Sequence, residues 1–157
     1  MIKKRNWKVL LSSIVIVYAI AFIGSLFTSG AVDSAWYESV RASITPPNWV
    51  FPIVWNVLFF LIALSIYFAW TSAKNKSTKK SIFLLFGFNL VLNAFWSYLF
   101  FGLRNPLGAF FDLIVLWISI LTLLILTYRI NKKSYYLLWP YFLWVTFAGI
   151  LNAIIAF

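Results

Sequence analysis

In this 157-residue chain the aromatic side chains are the candidates for ligand binding or chemistry, because of their number and their spacing. Pro52, Trp55 and Phe59 fall on one face of a helix, so an indole and a phenyl ring lie along a single stripe. Such a stripe would stack against a flat aromatic ligand. An indole N–H this far into an apolar segment also needs an acceptor, which favours a binding site for Trp55. For Trp49, nearer the edge of the segment, a place among the aromatic residues of a membrane interface is favoured instead.

A polar face marks the third apolar segment. Asn89, Asn93 and Trp96 recur at i, i+4 and i+7, which places them on one side of a helix. Because amides exposed to lipid would lack partners, this side should point into a helical bundle. The asparagines would then either contact a ligand or join one helix to another, and the pattern leaves both open.

Small side chains cluster on the opposite side of the same segment, at Gly87, Val91 and Ala94. Small residues let two helices approach closely in a membrane. This side therefore either packs within the protein or forms the seam of a homodimer, and we expect a homodimer.

Asp112 is the acidic residue that lies within an apolar segment. A charge inside a membrane is costly, so Asp112 should face the interior of the bundle and find a partner. Arg104, across the turn formed by Asn105 and Pro106, is the candidate partner. A structural ion pair and a contact with a ligand both remain open.

The composition excludes most enzyme chemistry. The chain has no His, no Cys and three acidic residues, so catalytic triads, zinc sites and the usual ligation of haem iron are not available. It also lacks the glycine-rich motifs that bind nucleotides. The sequence predicts no metal site and no cofactor. The net charge of +10 resides in short loops, which argues against nucleic acid as a partner.

These residues lie on five apolar segments, each long enough to cross a bilayer. The segments cover residues 9–27, 49–70, 82–103, 107–128 and 135–157. The sequence therefore predicts an all-α integral membrane protein, a bundle of five transmembrane helices that forms one domain over residues 1–157. Pro46 and Pro47 would begin the second helix, with Pro52 one turn further in. The loop at 29–45 is the longest and could act as a lid.

Basic residues predict the orientation. They collect before the first segment, between the second and third, and between the fourth and fifth: Lys3, Lys4, Arg5 and Lys8; Lys74, Lys76, Lys79 and Lys80; Arg129, Lys132 and Lys133. Only Arg41 and Arg104 fall on the other side. By the positive-inside rule the N-terminus is cytoplasmic and the C-terminus is outside, in a multi-pass protein of a bacterial cell membrane. The first segment is longer than a signal-peptide core and is expected to be retained.

Four motifs together resemble one family. They are AWY at 35–37, PPNWVFPIVW at 46–55, LNAFWSYLFFGLRNPLGAFFD at 92–112 and WPYFLWVTFAGILN at 139–152. In order and spacing they resemble the tryptophan-rich sensory protein family, also called translocator protein or peripheral-type benzodiazepine receptor. The last motif also places Tyr141, Trp144, Ala148 and Asn152 within one arc of a helix.

The resemblance implies a cavity lined by Trp55, Asn93, Trp144 and Ala148, with Tyr37 closing over the ligand. It implies a receptor for tetrapyrroles, protoporphyrin IX or haem, and for benzodiazepine-site ligands, held by packing and hydrogen bonds. It further implies light-dependent degradation of bound porphyrin, in which the oxidisable indoles of Trp55 and Trp144 could take part. A transporter of tetrapyrroles or other amphipathic molecules is the alternative, and a structural scaffold is a third. The complete set of predicted ligand contacts is Tyr37, Pro46, Trp55, Phe59, Asn89, Asn93, Trp96, Asp112, Trp144 and Ala148.

Overall fold

The computed structural model describes residues 6–157. It contains helices α1 (Trp7–Thr28), α2 (Ala35–Val40), α3 (Val50–Ser72), α4 (Lys76–Ser97), α5 (Pro106–Ile130) and α6 (Lys132–Ala156). A π-helical turn, Tyr98–Gly102, extends α4. All of these except α2 are long and apolar enough to contribute to five membrane spans in this part of the chain. The prediction of an all-α chain with five helices of membrane-spanning length is confirmed. Lys3, Lys4 and Arg5, part of the predicted orientation signal, lie outside the described residues.

Asparagine side chains begin four of the long helices. Asn6, Asn75, Asn105 and Asn131 each accept a hydrogen bond from a backbone N–H in the first turn of the helix that follows. Asn75 explains why α4 begins at Lys76, six residues before the predicted start. Apolarity marks the part of a helix that lies in lipid, whereas a cap marks where the helix begins.

The predicted segment start at residue 49 lies one residue before α3, but the prediction that Pro46 and Pro47 begin this helix is wrong. Pro46 and Pro47 precede α3, and the Val50 N–H donates to the Pro47 carbonyl oxygen at 3.0 Å in a turn. Pro52 is instead the proline of the first helical turn, where its missing N–H would have no intrahelical partner. Proline therefore does set this helix start, but one turn later than expected.

A short helix, α2, lies within the loop that was predicted at 29–45. Ser34 caps it, because the Ser34 side chain accepts a hydrogen bond from the Tyr37 N–H at 3.2 Å. Six residues are too few for hydrophobic periodicity to show a helix, so α2 could not be predicted.

The long helices pack around an apolar core and join through small polar contacts. Ile62, Ile120, Leu123 and Leu138 are fully buried at the centre. Outward positions carry large apolar side chains that suit a lipid environment: Leu11, Phe22, Phe83, Ile125 and Leu143 are examples. Ser65 of α3 and Ser134 of α6 each donate to the other's backbone carbonyl oxygen, at 3.0 and 2.8 Å. Such contacts satisfy polar groups that lipid cannot.

The small-residue side of α4 has two different environments. A Cβ placed on Gly24 of α1 would lie 3.6 Å from the Ala94 Cα atom, so Ala94 packs inside the bundle. Gly87 has open space beyond its Cα atom, and Val91 is 60% exposed. The predicted seam for a second copy is therefore reduced to Gly87 and Val91.

Candidate functional site

A cavity of about 380 Å³ opens inside one end of the bundle. Its walls come from the C-terminal parts of α1, α4 and α6 and the N-terminal parts of α3 and α5, with the segment between α1 and α3 over the top. This end is opposite to the loops that carry the lysines. Its volume lies within the ~300–1,000 Å³ typical of small-molecule sites, and its lining is mostly apolar and aromatic.

Indole rings form two walls of the cavity. Trp55 of α3 stacks on Phe59 with ring centroids 5.3 Å apart, and its edge meets Tyr141 at 6.2 Å. Trp144 of α6 contacts Phe51 edge-on at 5.8 Å. The helical spacing that predicted one stripe of Trp55 and Phe59 therefore holds in three dimensions, and the two tryptophans line one cavity.

A series of hydrogen bonds holds the side chains at the floor of the cavity in place. The Asn93 Nδ2 atom donates to the Tyr141 hydroxyl at 3.2 Å, and that hydroxyl donates to Asn89 Oδ1 at 3.2 Å. Asn89 Nδ2 then donates to Ser119 Oγ at 2.7 Å, and Ser119 donates to the Leu116 carbonyl oxygen at 2.6 Å. Asn93 lines the cavity, whereas Asn89 lies below it and joins α4 to α5 and α6. The prediction that this face points into the bundle is confirmed.

Trp96 closes the side of the cavity near α5. Its ring stacks on Phe100 at 5.0 Å, and its Nε1 donates to Asn152 Oδ1 at 2.9 Å. Asn152 Nδ2 donates in turn to the Pro106 carbonyl oxygen at 2.8 Å. Ala148 also lines the cavity, one helical turn after Trp144, where a larger side chain would project into the space.

The segment between α1 and α3 covers the cavity. Tyr37 is 6% exposed and packs against Phe101, with ring centroids 5.5 Å apart. Burial raises the pKa of the Tyr37 hydroxyl above its ordinary value, so the group stays neutral. Arg41 pairs with Glu38 at 2.8 Å and steadies α2. The cover comes from the loop predicted at 29–45 and from Asn48, and the action of this loop as a lid stays a prediction.

Asp112 and Arg104 do not form the predicted ion pair. Among residues 6–157 the ion pair is Arg41 with Glu38, and the Arg104 guanidinium lies 5.8 Å from the centroid of the Trp36 ring. Arg104 has a left-handed φ of 50°, which turns the chain after the π-helical turn. Asp112 is buried as expected, but its Oδ2 atom has no hydrogen-bond partner and the residue does not line the cavity.

Pro46 also lies outside the cavity lining, and its carbonyl oxygen accepts a 3.5 Å hydrogen bond from Arg41. The cavity does bring together Tyr37, Trp55, Phe59, Asn93, Trp96, Trp144 and Ala148 from the predicted set. Sequence reasoning missed Thr45, Asn48, Phe51, Phe100 and Phe101. Asn48 and Phe51 lie within the motif at 46–55, but nothing in their spacing shows which way they face.

A second, shallower groove of about 480 Å³ lies on the outside of the bundle between α3 and α6. Ile53, Val57, Leu143 and Phe147 line it, together with Trp144. Trp144 thus separates the inner cavity from a surface that would face lipid.

The chain is similar to one family of proteins along most of its length. The profile of the TspO/MBR family matches residues 13–157. The chain is 43% identical over 145 residues to the tryptophan-rich protein TspO of Archaeoglobus fulgidus, covering 91% of this chain and 92% of that protein. It is 36% identical over 136 residues to the protein of the same name from Chlorobaculum tepidum, covering 85% of each. It is 30% identical over 133 residues to the translocator protein of Homo sapiens, covering 83% of this chain and 78% of that protein.

Proposed function

The chain belongs to the TspO/MBR family, and on this premise we propose that its cavity binds tetrapyrroles such as protoporphyrin IX or haem, and synthetic ligands of the benzodiazepine site. The family resemblance predicted from the motifs is confirmed, and the chain is a multi-pass membrane protein. The observation that carries the proposal is one apolar cavity lined by three indoles, with Trp55 and Trp144 on the walls formed by α3 and α6 and Trp96 on α4.

Both indoles offer what a flat macrocycle needs. Their faces can stack on it, as aromatic pairs do at centroid distances of about 4.5 to 7 Å. Trp144 also has a buried Nε1 atom without a hydrogen-bond partner. With neither His nor Cys in the sequence, binding depends on packing and hydrogen bonds, which suits a metal-free macrocycle at least as well as haem.

We further propose that the bound porphyrin is oxidised in light with the help of Trp55 and Trp144. Dissolved oxygen is the oxidant: the photoexcited ring takes an electron from indole and passes it to oxygen, which becomes superoxide. The indole radical then takes an electron back from the porphyrin, and the oxidised porphyrin combines with the superoxide. This chemistry needs contact and light rather than an acid and a base. It therefore fits a cavity that the chain supplies with tryptophan and with few ionisable groups.

The test separates binding from photochemistry. Protoporphyrin IX is titrated in the dark by absorbance, and its bleaching is then followed under fixed illumination at equal occupancy. Trp55→Phe with Trp144→Phe should weaken binding by about 1 kcal/mol per site, because phenylalanine keeps most of the stacking surface. The rate of porphyrin bleaching should fall by a larger factor than the affinity does. Trp139→Phe, outside the cavity lining on α6, is the matched control.

Two outcomes decide between functions. Unchanged bleaching in the double variant would refute a role for Trp55 and Trp144. If bleaching also survived Trp96→Phe, which removes the third indole of the cavity lining, a passive receptor or a carrier of tetrapyrroles would be the better account. Loss of binding in the Trp139→Phe control alone would place the ligand outside the cavity.

The orientation and assembly are proposed on the same basis. The lysine-rich loops lie at the end opposite the cavity, so the positive-inside rule puts the N-terminus in the cytoplasm and the cavity in the outer half of a cell membrane. The outward Gly87 and Val91 support a homodimer through α4.

A further inference from the structure

The Asn93 amide has one free atom, and the hydrogen bonds beneath it decide which atom that is. The Ser119 hydroxyl must donate to the Leu116 carbonyl oxygen at 2.6 Å, because a carbonyl cannot donate. Ser119 Oγ can then only accept at its other contact, so the Asn89 atom 2.7 Å away is Nδ2. Asn89 Oδ1 therefore faces the Tyr141 hydroxyl, which donates to it at 3.2 Å. That hydroxyl in turn accepts from Asn93 Nδ2 at 3.2 Å, which leaves Asn93 Oδ1 free.

Asn93 Oδ1 is unpaired and within reach of the cavity. It makes no hydrogen bond to any of residues 6–157, although Asn93 is only 9% exposed and lines the cavity. Thr45 Oγ1 and Asn48 Oδ1 in the cover also lack partners, but each keeps less than 1 Å² of accessible surface, whereas Asn93 Oδ1 is not occluded in this way. Because buried polar groups in folded proteins are nearly always paired, a free oxygen in a cavity wall points to a ligand.

Ser97 places a second free oxygen beside the first. It follows Asn93 by four residues on α4, so the two side chains lie on one face of the helix with Cβ atoms about 5 to 6 Å apart. Ser97 also lines the cavity, and its hydroxyl is neither occluded nor hydrogen-bonded within the described part of the chain. A Cβ built on Gly24 of α1 would lie 3.6 Å from Ser97 Oγ. The missing side chain at Gly24 therefore leaves this hydroxyl uncovered.

Hydroxyl and amide groups that the other long helices contribute to the cavity already have partners. Ser25 donates to the Phe22 carbonyl oxygen at 2.7 Å, and Thr28 donates to that of Gly24 at 3.3 Å. Asn152 is occupied on both sides of its amide. Among the oxygens that these helices direct into the cavity, a ligand thus finds the unused ones on α4.

We propose that Asn93 Oδ1 and Ser97 Oγ form a subsite that receives an N–H or O–H group at the edge of a flat ligand. Asn93 Oδ1 can only accept, and the Ser97 hydroxyl can accept as well, so a donor is favoured there. A ligand acceptor in the same place would meet the Asn93 oxygen. The proposal rests on the proposed function to the extent that this cavity is the ligand site. It does not depend on the ligand being a tetrapyrrole.

Carbazole and dibenzofuran test the subsite, because these flat aromatic probes share one outline and differ in an N–H against a ring oxygen. Their affinities are measured by fluorescence titration of the full chain in lipid nanodiscs, with uptake by protein-free nanodiscs subtracted. The native protein should bind carbazole about tenfold more tightly, the change expected for one hydrogen bond left unmade. In the variant that combines Asn93→Leu with Ser97→Ala, the ratio of the two affinities should fall towards one.

The ratio is the readout because Asn93→Leu also alters the shape of the cavity, which would affect both probes alike. The floor should survive this change, since the Tyr141 hydroxyl still donates to Asn89 Oδ1. Ser25→Ala is the matched control for Ser97→Ala: both serines line the cavity, but the Ser25 hydroxyl already donates to the backbone. The control should retain the native ratio even if both affinities fall.

Three results would overturn the subsite: a ratio of one in the native protein, a native ratio in the combined variant, or no binding of either probe. Loss of the ratio in Ser25→Ala would place the partner of the N–H on α1 and overturn it as well. A protoporphyrin IX titration on the same samples keeps the two proposals distinct. Discrimination between carbazole and dibenzofuran without porphyrin binding would support the subsite and refute the tetrapyrrole function.

Discussion

Tyr141→Phe should destabilise the bundle through a single buried atom. The Tyr141 hydroxyl accepts from Asn93 and donates to Asn89 Oδ1, each at 3.2 Å. Without it, Asn93 can turn towards the cavity that it lines, whereas Asn89 is fully buried and its Oδ1 atom loses its donor. An unsatisfied buried acceptor costs about 1 to 3 kcal/mol, so the free energy of unfolding should fall by about this amount.

A second substitution identifies the cause. Asn89→Leu removes the orphaned acceptor, and Ser119 keeps its bond to the Leu116 carbonyl oxygen. Tyr141→Phe with Asn89→Leu should therefore be more stable than Tyr141→Phe alone, because replacing both partners by apolar groups is nearly neutral.

Unfolding in mixed micelles of increasing SDS content, followed by tryptophan fluorescence, measures these differences. Tyr136→Phe, on the same helix but 65% exposed, is the control and should match the native protein. The reasoning is refuted if Tyr141→Phe is as stable as the control, or if the double variant is no more stable than Tyr141→Phe.

Further predictions concern the cavity, the orientation and the assembly. Ala148→Thr adds bulk at the cavity wall and should weaken binding of protoporphyrin IX about tenfold by overpacking, whereas Ala148→Ser should change it less, as absorbance titration would show. Single cysteines at the exposed Ser43 and Ser77 should react with an impermeant reagent on intact cells at Ser43 only; labelling of Ser77 alone would reverse the orientation. Gly87→Leu, which meets open space in one chain, should lower the dimer fraction in detergent by mass measurement; an unchanged dimer would place the seam elsewhere.

The number and type of the long apolar helices could be predicted because apolar length is a direct requirement of lipid. The inward face of α4 could be predicted as well, since Asn89 and Asn93 have no partner in a bilayer. Periodicity shows which face of each helix Trp55, Asn93 and Trp144 occupy. That these three faces meet around one cavity came from the family resemblance, because periodicity carries no information about neighbouring helices.

The covering segment and the turn after α4 could not be predicted for physical reasons. Whether Thr45 and Asn48 face the cavity depends on the path of a loop that the short α2 redirects. Arg104 and Asp112 are close in sequence, but the π-helical turn Tyr98–Gly102 and the left-handed backbone at Arg104 send the guanidinium towards Trp36. Closeness in sequence limits how far apart two residues can lie, but an ion pair also requires that their side chains point towards each other.

The central claim is that one cavity with two indole walls holds the ligand, and a structure of the full chain with protoporphyrin IX tests it most directly. The macrocycle should lie inside the bundle, in contact with both Trp55 and Trp144 and beneath the segment that carries Tyr37. Density for the macrocycle in the outer groove at Ile53 and Leu143, with the inner cavity unchanged, would contradict it.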